Sequence, residues 1–259
     1  MPLRVSFGLT ISYLGGKKMR VGRVVALSLC LTMVLAFLSA CGAGSVITDL
    51  ATPLGQGPRV QHDHPNPSVK TGDAVLFGGH EWLVLEVSGG EALVISEAIL
   101  AERSFHSDKS AVTWETSELR QWLNGPFYDT TFTREEKDRI AKTTVKANNN
   151  PWYGTGAGND TLDSVFLLCV EELVRYLGDE SELDLNDVAD CIDDQFNDAR
   201  AAVNAETGAP TWWWLRSPAG DNVLAARVGS GGEVLMYTIS GDINPNEGGV
   251  RPALWLVLE

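Results

Sequence analysis

Residues 211–220, TWWWLRSPAG, set three consecutive tryptophans ahead of an arginine and a proline. Side chains alternate between faces in an extended chain, so Trp212, Trp214 and Arg216 project to one side and Trp213 and Leu215 to the other. Both faces are then mainly apolar, and each indole offers roughly 150–250 Å² to bury. A strand of this kind has no solvent side. The segment predicts an interior strand within a packed layer, in a domain thick enough to cover it twice. A ligand-stacking platform needs instead one open face with polar neighbours. On that second reading one tryptophan, Trp214, lines a pocket beside Arg216. Arg216 is expected to pair with an acidic group or to lie over an aromatic ring.

Charge is partitioned along the chain. Residues 1–40 hold five basic residues and no acidic one, and the rest hold 15 Lys+Arg against 34 Asp+Glu. A surface of that sign repels phosphate backbones, and no basic stripe interrupts it, so nucleic acid is not an expected partner. The basic N-terminal part reads as a targeting segment: MRVGR, the fifteen-residue apolar run VVALSLCLTMVLAFL, then LSAC at 38–41. The run is short for a membrane-spanning helix, and LSAC resembles the bacterial lipobox, in which cleavage precedes a cysteine that becomes diacylated. The expectation is a signal peptide over residues 1–40 with Met19 as the translation start. A lipidated Cys41 then anchors the chain at the extracytoplasmic face of the cell membrane. Residues 41–70, rich in Gly, Pro and small polar residues, read as a flexible tether.

From residue 71 to 259 the pattern is that of one domain. DAVLF, EWLVLEV and EALVIS, punctuated by GGH and SGG, predict an antiparallel meander. SELRQWLNG spaces Leu119, Trp122 and Leu123 as on one helix face, with Ser117 as N-cap and Gly125 as stop. Thr133 and Glu136 form a capping box for a short helix running through Ile140. NNNPWYGTGAGNDT is a turn-rich loop, SVFLLC a buried strand and VEELVRYL a helix. The acidic stretch 179–198, interrupted by Leu183, Leu185, Val188, Ile192 and Phe196, reads as a solvated helix or an ordered loop. TWWWLRS, VLAARVG, EVLMYTI and VRPALWLVL predict four further strands. The fold class is α+β: a single mixed domain of antiparallel strands, short helices and long loops.

Chemical signatures are sparse. Cys30 falls in the signal and Cys41 in the anchor, leaving Cys169 and Cys191 as a possible disulfide or as two separate thiols. His62 and His64 lie in the tether, and His80 and His106 in turn or loop sequence without a nucleophile at recognisable spacing. Asp242, Asn244 and Asn246 alternate as weak candidate oxygen ligands for calcium, and no other cofactor is expected. Glu247 and Ala253 stand where an EF-hand needs glycine and an acidic residue, so a simple turn is the competing reading. GTGAG at 154–158 lacks the strand-to-helix context of a phosphate loop.

FGGHEWLVLEV, VTWETSELRQWLNGPFYDTTFTREEKDRI, DSVFLLCVEE, WWLRSPAG and GGVRPALWL occur here in order. With these five motifs, spanning about residues 71–259, the chain resembles a family of uncharacterised bacterial extracytoplasmic domains carried on lipoproteins and wall-attached proteins. Cys169 stands where that family usually has serine, Ala219 where it usually has glycine, and the acidic stretch is longer. The C-terminal half is also similar to the formylglycine-generating and C-type-lectin-like fold, which implies a loop-rich ligand face. The paired late cysteines of the formylglycine chemistry are absent, because no cysteine follows Cys191.

The expected function is non-catalytic recognition of a glycan, peptide or wall polymer, with Trp152, Tyr153, Trp214 and Arg216 as the ligand-binding candidates. A structural or adhesive envelope module is the first alternative. A hydrolase built on a carboxylate pair is the second.

Overall fold

The computed structural model describes residues 69–108, 110–183, 191–236 and 248–258. The expected signal peptide, Cys41, His62, His64, nearly all of the tether and the candidate ligands Asp242, Asn244 and Asn246 lie outside the described residues.

Two glycine pairs start the fold. Gly78 and Gly79 (φ +57° and +74°) and Gly89 and Gly90 (φ +61° and +85°) each supply two consecutive residues with positive φ. That is the backbone of the tight turn matching the twist of a hairpin. They join β1 (Ala74–Phe77), β2 (His80–Ser88) and β3 (Glu91–Ser96) into the expected antiparallel meander. β4 (Ala101–Arg103) follows, then α1 (Glu118–Trp122), where the Ser117 hydroxyl accepts from the Arg120 N–H at 3.1 Å.

The helix does not stop at Gly125. That residue departs from helical geometry (φ −128°, ψ −105°) inside a wide turn over Leu123–Phe127, and the chain resumes as α2 (Tyr128–Thr131). Pro126, which lacks an N–H, occupies the first turn of the resumed helix, where none is needed. The Thr133–Glu136 capping box opens α3 (Arg134–Lys137) as expected. This helix ends before Ile140, which instead begins β5 (Ile140–Ala141) because its buried side chain pairs with Leu256.

β6 (Thr143–Val145) and β7 (Thr161–Asp163) form a separate two-stranded ribbon. α4 (Val170–Leu177) buries Val170, Leu173, Val174 and Leu177, one stripe of a helix. β8 (Cys191–Ile192), α5 (Asn197–Arg200), β9 (Trp213–Pro218), β10 (Ala225–Val228), β11 (Val234–Leu235), β12 (Gly248–Val250) and β13 (Ala253–Val257) complete the described strands and α-helices. Within the acidic stretch, residues 184–190 lie outside the described set.

The strands form a five-stranded sheet in the order β1-β2-β3-β13-β5 and a six-stranded sheet in the order β4-β12-β9-β10-β11-β8. Every pairing is antiparallel except β12 with β9. The run VRPALWLVL is therefore not one strand. Pro252 cannot donate to a ladder, and there the chain leaves the six-stranded sheet as β12 and enters the five-stranded sheet as β13.

SVFLLC is likewise not a strand. Residues 165–168 run between the sheets, all nearly inaccessible. Phe166 exchanges backbone hydrogen bonds with Ala253 of one sheet (2.9 and 2.7 Å), and the Leu168 carbonyl accepts from Arg216 N of the other (3.0 Å). The result is an α+β domain of mostly antiparallel strands with a few short helices. β9, third of six strands, is buried at all six positions. The tryptophan-rich segment is thus an interior strand.

Candidate functional site

The three tryptophans have different fates. Trp213 is wholly buried, its indole N–H donates to the Arg200 carbonyl at 3.1 Å, and the Arg251 guanidinium lies 5.2 Å from its ring. Trp214 is 4% exposed, donates to the Arg103 carbonyl at 2.9 Å, and meets Phe105 edge-on at 5.7 Å. Trp212, one residue ahead of β9, is only half-buried. It stands edge-on to Trp214 at 4.7 Å, and its N–H has no partner among the described residues.

Two glycines of β12 make room for this arrangement. A Cβ on Gly248 would fall 2.2 Å from the Trp214 indole nitrogen and 2.5 Å from the Trp212 ring. A Cβ on Gly249 would fall 2.5 Å from the Trp212 carbonyl oxygen. The indoles thus lie over bare β12 backbone, which couples WWLRSP physically to GGVRP.

Arg227 of β10 stands opposite Trp214 in register and so shares its face. Its guanidinium lies 5.3 Å from the Trp212 ring, and the residue is 8% exposed. Burial lowers its pKa, partly offset by Glu233, yet no carboxylate lies within ion-pair distance among the described residues. Arg103 of β4 stands opposite Gly248, is exposed, and lies 4.3 Å from the Trp122 ring, likewise without an ion pair.

Three other arginines have carboxylate partners. Arg120 binds Asp163 (2.7 Å), Arg175 binds Glu180 (2.7 Å), and Arg200 binds Asp194. A strip running Arg103, Gly248, Trp212, Arg227 therefore crosses β4, β12, β9 and β10. At about 4.8 Å per strand it is roughly 14 Å wide. It carries hydrogen-bond donors and aromatic surface in a chain dominated by acidic residues.

The residues singled out from sequence are placed as follows. Arg216 binds Glu172 through both carboxylate oxygens (2.5 and 2.6 Å) and donates to the Leu167 carbonyl (2.6 Å). Burial opposes its charge, but Glu172 raises its pKa overall. The void beside it, shared with Cys169 and Ser217, measures about 10 Å³, the scale of one water. Neither Arg216 nor Trp214 presents its polar group to an open surface.

Trp152 and Tyr153 sit on a turn whose two N–H groups both donate to the Asn150 side-chain oxygen (2.9 Å each). The Asn150 amide reaches back to the Pro218 carbonyl (2.9 Å) and ties that turn to the end of β9. Trp152 is half-buried, with its indole N–H buried and unpartnered, and Tyr153 is 37% exposed.

Cys169 and Cys191 are both free thiols, the first buried and the second half-buried. Each has its own structural place: the Cys169 sulfur caps α4 by accepting from Glu172 N at 3.4 Å, while Cys191 lies on β8. Burial pushes the Cys169 thiol upward, the reverse of an activated nucleophile. Burial lowers the His80 pKa, and His106 Nε2 lies 3.6 Å from Asp108 with no nucleophile attached to the pair. Among the described residues no group of three His, Cys, Asp or Glu side chains converges as a metal site. No described helix is long and apolar enough to cross a membrane. An open groove of about 280 Å³, lined by Glu97, Ala98, Ala201, Ala202, Val203, Pro210 and Ser230, offers neither cation nor ring.

The chain belongs to the family described as a domain of unknown function, DUF6273, which matches residues 89–258. The matched span holds β9, β10, β12 and α1, and hence the whole strip. No curated protein and no solved structure matches the chain.

Proposed function

We propose that the chain is a surface lipoprotein whose domain recognises an extracellular ligand without transforming it. In this reading residues 1–40 are the signal peptide, Cys41 carries the lipid, residues 41–70 hold the domain off the membrane, and residues 71–259 do the recognising. The observation that supports it is Trp212: a partly exposed indole whose N–H has no partner among the described residues, with the Arg227 guanidinium 5.3 Å from its ring and no carboxylate among those residues paired with it. Buried donors are ordinarily satisfied within the fold, and an unfilled donor beside an aromatic face is an ordinary part of a binding site. The mixed strands, short helices and long connections agree with a C-type-lectin-like layout, which we include in the proposal.

The test is binding of the full chain to arrayed glycans, peptides and wall polymers, beside a Trp212→Ala variant. Binding lost in the variant supports recognition at the strip, and binding unchanged by it refutes that placement. Melting with and without calcium belongs in the same experiment. A rise in Tm that Asp242→Asn abolishes would add a metal to the reading. For the anchor, Cys41→Ala is expected to move the chain from the membrane fraction to the soluble one.

A further inference from the structure

We infer that the ligand of the strip is a carboxylate-bearing glycan, with one sugar ring stacked on Trp212 and its acidic groups taken by Arg227 and Arg103. This rests on the recognition reading and names its ligand class.

The guanidinium groups carry the first part. A guanidinium lying over an indole uses its face, and its N–H edge stays free as a planar fork. That fork matches a carboxylate, which accepts two parallel hydrogen bonds. Arg227 and Arg103 both lie over indoles, at 5.3 and 4.3 Å, and neither fork is filled by a described side chain. In a domain where acidic residues outnumber basic ones, Arg120, Arg175, Arg200 and Arg216 all have carboxylate partners. Arg251 also lies over an indole without a carboxylate, but it is buried and donates to the Ser96 and Arg200 carbonyls. Arg103 and Arg227 have no such partner among the described residues, and together on one face they mark a place for an anion from outside. Glu233 does not fill it, since its carboxylate is folded over Gly229 and Gly231.

The sheet carries the second part. An extended peptide binds most readily by adding to an unpaired strand edge. The strip instead runs across four neighbouring strands, with β12 and β9 inside it already paired on both sides. Among the described strands the edge within the strip is that of β4, a three-residue strand at its outer margin and two strands away from Trp212. A ring with a C–H face can lie on the partly exposed indole of Trp212 without an edge, and acidic groups on separate rings can reach arginines set three strands apart.

The experiment is calorimetric titration of the full chain in detergent with three probes and their controls. The probes are an oligogalacturonate, a glucuronate-containing oligosaccharide and sialyllactose. The controls are the methyl esters of the same saccharides and poly-glutamate. At least one acidic saccharide is expected to bind, and its neutral ester to bind roughly 10–100-fold more weakly. Arg227→Gln is expected to lose a similar factor and Trp212→Ala to remove detectable binding, with thermal melts confirming that both variants fold. Arg103→Gln, at an exposed position, gives a second reading that does not depend on the fold.

Equal binding of ester and acid, equal binding of poly-glutamate, or binding of none of the three acidic saccharides would overturn the inference. If arrayed neutral ligands still bind and Trp212→Ala removes them, recognition at the strip stands and only the ligand class falls. If Trp212→Ala alters no binding at all, both fail together.

Discussion

Replacing Trp213 and Trp212 separately by alanine tests whether adjacent indoles divide into scaffold and working surface. Trp213 is wholly buried. Removing about 150–250 Å² of contact at about 25 cal/mol per Å² costs roughly 4–6 kcal/mol. Large-to-small core substitutions of this type cost about 3–5 kcal/mol. The truncation also leaves the Arg200 carbonyl without its 3.1 Å donor and removes the ring beneath Arg251, whose pKa burial already depresses to about 10 despite Glu97.

A total near 5 kcal/mol approaches the whole stability of an ordinary domain, about 5–15 kcal/mol. Trp212 is half-buried and its indole N–H makes no hydrogen bond among the described residues, so truncating the side chain should cost about 1–2 kcal/mol. Urea unfolding followed by circular dichroism measures both. With a slope of about 2 kcal/mol per M, the midpoint should fall by about 2 M or more for Trp213→Ala and by less than about 1 M for Trp212→Ala. Equal midpoint shifts would refute the division.

Further outcomes are expected elsewhere. Gly249→Ala puts a methyl group 2.5 Å from the Trp212 backbone oxygen, which cannot swing aside, so β12 must shift from β9. A loss of about 1–3 kcal/mol in thermal melts is expected, and an unchanged Tm would contradict the packing. Glu172→Gln strands the buried Arg216 charge and should cost about 3 kcal/mol, while the double change Glu172→Leu with Arg216→Met should recover most of it. A double variant no more stable than the single one would count against the pair. Burial and the Glu86 carboxylate, 2.5 Å from its hydroxyl, push the Tyr176 phenol up to about 12 from its ordinary 10.0. A raised folded pKa means a contribution fully present below the unfolded value and lost as pH climbs through the folded one. The Tm should therefore drop between about pH 10 and 12 more steeply in the native chain than in Tyr176→Phe, and parallel curves would contradict the contact.

What could be read from the residues was what depends on near neighbours. The glycine pairs at 78–79 and 89–90 announce hairpins because positive φ is a local demand, and Ser117 and Thr133 announce helices because caps close over three residues. Gly125 misleads because a glycine followed by proline looks like a stop, while Leu123 and Phe127, both buried, hold the helical path across the kink. The apolar runs 165–168 and 250–257 mislead for another reason. Hydrophobicity reports burial, not which sheet supplies the partner, and only tertiary pairing divides the second run at Pro252.

The same limit applies to the site. Alternation assigned Trp212 and Trp214 to one face correctly, but which indole stands at the open end depends on Gly248 and on the β9–β10 register. An arginine within the apolar run VLAARVG was the available signal for Arg227, since an uncompensated cation in a strand needs a reason.

Solvent exchange of the indole N–H protons, followed by NMR on the chain, tests most directly whether Trp212 alone of the three faces outward. The signals of Trp213 and Trp214 are expected to persist, because both protons are bonded to backbone carbonyls, while that of Trp212 exchanges rapidly. A Trp212 proton protected as long as its neighbours, or a Trp213 proton lost as quickly as that of Trp212, would contradict the account.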